Sequence, residues 1–127
     1  MTTTMLALLK RREGMSKEDF QAYYETKHSE IGKRVLGGWA TRYERRYLFP
    51  RSPDEQDQDF DVILEIDFPD EAAFEGCFAA MSDPESQQII TEDEAKLFDR
   101  SRIRGYRIES RTSVLPEHKG RASDVAS

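Results

Sequence analysis

The chain has 127 residues, enough for one hydrophobic core but not two. Hydrophobic residues make up 37%, charged residues 35%, and the formal net charge is −6, so the surface is densely charged and offers no basic face to nucleic acid. No apolar run approaches the ~20 residues that span a bilayer, no basic stretch precedes an apolar one at the N-terminus, and the lone Cys77 cannot form an intramolecular disulfide. These features predict a cytoplasmic protein with no membrane partner. The chain contains no asparagine, hence no N-glycosylation sequon.

Residues 3–10 are short and continuously apolar, which suits a central strand. Arg11 to Met15 form a turn. Ser16, with Asp19 three residues on, starts a helix. Phe20, Tyr24, Lys27, Ile31 and Val35 form its stripe, and Gly37-Gly38 stops it. Trp39 to Phe49 reads as a strand with Trp39, Tyr43, Tyr47 and Phe49 on one face. Residues 50–59 are an acidic hairpin loop. Phe60 to Phe68 alternates cleanly, with Asp61, Ile63, Glu65 and Asp67 sharing the second face.

A second helix begins near Asp70, with Phe74, Cys77, Phe78 and Met81 inward. Asp83-Pro84 breaks it and starts a third, since proline fits the first helical turn. That helix carries Ile89, Ile90, Leu97 and Phe98, and Glu92-Asp93-Glu94 reads as its solvated face. Ile103 to Val114 is a last strand, and residues 116–127 a polar tail after one domain over 1–115. The order β-α-β-β-α-β predicts an α+β, ferredoxin-like sandwich, with helices over one face of an antiparallel sheet. The other face then carries Trp39, Tyr43, Tyr47 and Ile63, and burying them calls for a second copy packed sheet to sheet, a homodimer.

His28 is the one histidine inside the folded pattern, because His118 lies in the tail. Imidazole can exchange a proton near neutral pH without extreme tuning, so His28 is the first candidate for acid–base chemistry. The alternative is a helix C-terminal histidine bonded to a last-turn carbonyl. Asp61 and Glu65 share a strand face. Asp61 could orient His28 as a carboxylate orients a catalytic imidazole, or either acid could pair with Arg45, Arg107 or Arg111. Trp39, Tyr43, Tyr47 and Ile63 could line a substrate pocket, a phenol donating to a carbonyl or phenolate oxygen, or could simply pack the dimer. Tyr24, one turn before His28, reads as core or pocket wall. Cys77 among apolar neighbours is expected to be inert. Two histidines and one buried cysteine make no metal ligand set, and no phosphate-binding glycine loop appears.

Three stretches resemble the EthD family of dimeric α+β barrels: Leu9 to Phe20 with Tyr23-Tyr24 and Lys27-His28; Phe60 to Phe68 leading into Ala72-Ala73-Phe74; and Asp93 to Ser101. The resemblance covers roughly residues 3–114. It implies a homodimer with a pocket in each protomer between sheet and helices, and cofactor-free chemistry on small phenolic, polyketide-like or lactone substrates. Such chemistry includes dehydration, decarboxylation, lactone isomerisation and ring closure. The family histidine maps onto His28 and the acidic strand position onto Asp61. Some lactone-isomerising relatives use a second histidine on the hairpin, which this chain lacks between residues 29 and 117. Two other functions fit the same residues: an EthD-type oxidoreductase or cofactorless or haem-linked monooxygenase, and a non-catalytic ligand-binding accessory protein.

Overall fold

Each helix after a turn starts on a side chain that the sequence supplies for that purpose. Ser16, Asp70 and Asp83 accept the backbone N–H groups of Asp19, Ala73 and Ser86, filling donors that a helix N-terminus leaves open. The computed structural model describes residues 1–52 and 58–117. Residues 53–57 of the acidic hairpin loop, and the tail from His118 on, lie outside the described residues.

The elements are β1 (Thr3–Leu9), α1 (Lys17–Tyr23), a π-helical turn (Tyr24–His28), α2 (Ser29–Leu36), β2 (Arg42–Tyr47), β3 (Val62–Phe68), α3 (Glu71–Met81), α4 (Pro84–Ala95), a 3₁₀ turn (Arg100–Arg102) and β4 (Arg104–Arg107). The four strands lie in the order β2-β3-β1-β4, all neighbours antiparallel. This is the α+β, ferredoxin-like sandwich that the element order predicts. Among the described residues no helix is long and apolar enough to cross a membrane.

Three strands are shorter than their alternation suggests; β3 starts at Val62 and not at Phe60. β2 loses Trp39 to Thr41, because Gly37 and Gly38 end α2 in a turn that still holds Trp39 and Ala40 to the Leu36 carbonyl. β4 ends at Arg107: one residue on, the Ile108 N–H still donates to the Thr4 carbonyl of β1 at 3.2 Å, and further along Val114 and Leu115 stand exposed.

The face assigned to the β2 aromatics is corrected. Tyr43 and Tyr47 do share a face, but it is the helix-covered one, since they pair with Ile66 and Val62, both buried under the helices. Trp39 is half-buried on the helix side, against α3, where a side chain at Gly76 would overlap its indole. Of that predicted set only Ile63 faces away from the helices, beside Leu6, Leu8 and Tyr106. The alternation fixes parity and not side. The side follows from burial, which favours putting three large aromatics under helices.

Glu65 sits on the open face and pairs with charges there. Arg42 reaches Glu65 Oε1 at 2.7 Å and Asp67 Oδ2 at 2.8 Å, and Arg46 reaches Glu65 Oε2 at 2.8 Å. Hydrogen bonds from Arg42 hold both carboxyls below their ordinary values, as Arg45 does for Glu25. A carboxyl depressed in the folded state stabilises fully above its unfolded pKa of about 4 and loses that contribution as pH falls through the lower folded value. Melting temperature is therefore expected to hold near neutrality and fall below about pH 4. Arg42→Met should flatten that slope in thermal melts across pH, and an unchanged slope would show that the ladder carries no stability.

Candidate functional site

The inward stripe of α1–α2 does not follow a plain α-helical count. The π-helical turn Tyr24–His28 widens the helix by one residue. Lys27 therefore faces solvent, and the polar member of the stripe is His28, below Tyr24 and one turn above Ile31 and Gly32. Tyr24 and Phe98 clamp the imidazole edge-on, each with ring centroids 5.3 Å away.

His28 keeps 12% of its side-chain exposure and Asp93 keeps 11%, and His28 Nδ1 lies 2.8 Å from Asp93 Oδ2. The other oxygen of Asp93 accepts the Tyr23 hydroxyl at 2.5 Å. Burial and the Asp93 hydrogen bond push the Tyr23 phenol up to about 12, so it remains a donor at neutral pH. An ionised carboxylate can only accept, so Nδ1–H donates to it, and in the neutral ring Nε2 then carries the lone pair. Asp93 was read from sequence as part of a solvated acidic run. The signal for it is helical spacing: Asp93 stands three residues after Ile90 in α4 and four before the buried Leu97 just past its end.

His28 opens onto a cavity of about 260 Å³ between the sheet and the helices, flanked by both halves of the core. Its walls are mostly apolar, with Met5, Leu64, Ile66, Ile90 and Ile103 among them. Polar groups come from His28, Tyr24, Tyr43 and Glu94, and no Lys or Arg lines it among the described residues. That is the composition of a small-molecule site: apolar walls and a few converging polar groups. Tyr43 reaches in because α2 has glycine at 32, where any side chain would overlap its phenol. Burial pushes both phenols up, Tyr24 well above its ordinary value. Arg45 works against burial at both rings.

Of the residues singled out from sequence, the fold brings His28, Tyr24 and Tyr43 to one cavity. The others stand elsewhere. Asp61 is buried at the head of β3, where it accepts the Arg11 backbone N–H at 2.8 Å and lies 3.8 Å from Lys10 Nζ. It braces the end of β1 and is not the partner of His28. Tyr47 donates to Glu25 at 2.6 Å and packs on Phe20. Trp39 borders an outer groove with Arg34 and Ile89. Ile63 and Glu65 lie on the open face. Cys77 is fully buried, its thiol pushed up by burial. Among the described residues no three His, Cys, Asp or Glu side chains gather to hold a metal ion.

The family model described as EthD domain matches residues 12–101. The chain belongs to the EthD family. Solved structures similar to it are distant in sequence but alike in fold. An EthD family protein of Bacillus halodurans is 16% identical, with a TM-score of 0.62 over 87% of this chain and 100% of that one. An EthD-like protein of Ralstonia eutropha is 17% identical, with a TM-score of 0.60 over 91% and 96%. A dimeric protein of ferredoxin-like fold from Bacteroides fragilis is 13% identical, with a TM-score of 0.56 over 86% and 96%. No curated protein matches the chain. The EthD match spans every residue of the His28–Asp93–Tyr23 network and Tyr43.

Proposed function

We propose that this EthD protein is a cofactor-independent lyase or isomerase that moves a proton next to a carbonyl of a small, mostly apolar aromatic, polyketide-like or lactone substrate. The observation that carries the reading is the 2.8 Å hydrogen bond between His28 Nδ1 and the Asp93 carboxylate beneath an apolar cavity. With Nδ1 committed, Nε2 is the base. It takes the proton from the carbon beside the carbonyl, and the electron pair moves to the oxygen. The Tyr43 hydroxyl donates to that oxygen, and protonated His28 returns the proton to carbon or to a leaving hydroxyl. Among the described residues no Lys or Arg lines the walls to pair with a carboxylate, and Glu94 is already paired with Arg100 at 3.3 Å, so the substrate enters neutral.

The test requires no knowledge of the natural substrate. Small aromatic ketones and β-dicarbonyls are incubated with the protein in deuterium oxide, and loss of the proton beside the carbonyl is followed by NMR. Exchange faster than in buffer supports the reading. Ligands that bind and come back unexchanged across such a panel would favour a binding protein instead.

Two copies are further proposed to pair through the open sheet face, where Leu6, Leu8, Ile63 and Tyr106 lie among the Arg42–Glu65–Arg46 charges. Tyr106 retains 51% exposure, and Leu115 retains 80% on the segment that follows β4, a large apolar area for a lone protomer. Light scattering is expected to give twice the chain mass, and Ile63→Asp with Leu8→Lys to halve it. A monomer at all concentrations would remove the proposal.

A further inference from the structure

The aromatic wall of the cavity is backed by an ion pair that the reaction above leaves unused. Arg45 on β2 keeps 17% of its side-chain exposure, and Glu25 of the π-helical turn grips it with Nε at 2.9 Å from Oε2 and Nη2 at 2.7 Å from Oε1. Tyr47 donates to the same Oε2 at 2.6 Å. A bidentate grip fixes the plane of a guanidinium as well as its position. The fixed plane lies on the phenols: Arg45 Cζ is 4.7 Å from the Tyr43 ring centroid and 5.8 Å from that of Tyr24. Both of these rings line the cavity.

We infer that Arg45 is a positioning residue for Tyr43: seated on the ring by Glu25, it makes Tyr43 the phenol that donates most readily to a ligand oxygen gaining negative charge. This rests on the reading of Tyr43 as the oxyanion donor. A cation over an aromatic face withdraws density from the ring and its oxygen. Tyr43 is faced by Tyr24 and Glu25 from the π-helical turn and by Arg45 from its own strand, with His28 and Glu94 on the same cavity wall. Burial dominates and keeps the phenol protonated, as a donor must be. Arg45 and Tyr24 work the other way, favouring the ionised form, and Glu25 opposes them. A structural brace between β2 and the helix would need the Arg45–Glu25 pair alone. It would not need the guanidinium laid over a cavity-lining ring that Gly32 leaves room for.

The test uses the full chain without ligand. The protein is labelled with 3-fluorotyrosine, whose phenol is more acidic than tyrosine's, and titrated by fluorine NMR, with Tyr43→Phe assigning the resonance. Arg45→Met is expected to raise the Tyr43 midpoint by about one pH unit, tenfold in the ionisation constant. Arg45→Lys should recover most of that shift, because it keeps the charge. A Tyr43 midpoint that Arg45→Met leaves in place overturns the inference. If Arg45→Met does not fold, Arg45→Gln carries the test: it keeps an amide donor toward Glu25 but loses the charge, so it should raise the midpoint, and an unchanged or lowered midpoint overturns the inference. The titration involves no turnover, so its failure is separate from failure of the proton-transfer reading.

Discussion

Replacing His28 with alanine is expected to lower the rate of carbon-proton exchange by about 10²–10⁴-fold, the usual worth of a placed acid–base group. Substrate affinity should change little, because the cavity takes most of its surface from Met5, Leu64, Ile66, Ile90 and Ile103. The fall should therefore sit in kcat and not in KM. Alanine also strips a partner from Asp93, so part of a loss could come from a loosened α4. His28→Gln separates the two effects: its amide can still donate toward Asp93 but cannot take a carbon-bound proton. Both variants are expected to be inactive, and the glutamine variant to melt closer to the parent. A folded His28→Ala chain with full exchange would end the proton-shuttle reading. The magnitude also sets a bound on Tyr43. A lost oxyanion donor costs about 10²–10³-fold in kcat where it has been measured, so Tyr43→Phe should lose less activity than His28→Ala.

Much of this architecture was legible in the chain because its signals are local. Ser16, Asp70 and Asp83-Pro84 announce helix starts through side chains that cap their own next turn, and all three do so here. Phe60 to Phe68 announces a strand through alternation, and Val62, Ile66 and Phe68 are buried as it requires. What was not legible depends on partners distant in sequence. Alternation groups Tyr43 with Tyr47 but cannot tell which sheet face the helices cover, so both were placed on the bare side. Lys27 took the place of His28 in the stripe because nothing in the residue types signals a π-helical turn. Asp61 looks like the acid beside His28 because it shares a strand face with Glu65 and matches the family's acidic strand position, yet its partners Lys10 and Arg11 come from just past the end of β1, about fifty residues earlier. Asp93 was hidden by company: one acid among three on a helix reads as surface, although its spacing from Ile90 and Leu97 marks an inward position.

The exchange of Asp61 for Asp93 yields the second large effect. Asp93→Asn is expected to lower kcat by about 10²–10⁴-fold with KM held within a few-fold. The change is nearly isosteric, yet it removes an acceptor. The carboxylate accepts from two donors at once, Tyr23 at 2.5 Å and His28 at 2.8 Å. An asparagine has one acceptor oxygen for them. If it serves Tyr23, its amide N–H groups face His28 Nδ1, which must then accept. That puts the ring proton on Nε2, where the base should be, and the imidazole is present but in the wrong tautomer. Stability should fall by about 1–2 kcal/mol for one weakened buried hydrogen bond, and by somewhat more for Asp93→Ala, which leaves both donors unpaired. Because the two residues act as a unit, His28→Ala with Asp93→Asn should be no slower than His28→Ala alone. Asp61→Asn is the control that decides between the carboxylates. It should lower the melting temperature by loosening the Arg11 turn and leave exchange intact. Full activity in Asp93→Asn, with loss in Asp61→Asn, would return the orienting role to β3 and leave the His28–Asp93 bond a structural tie between two helices.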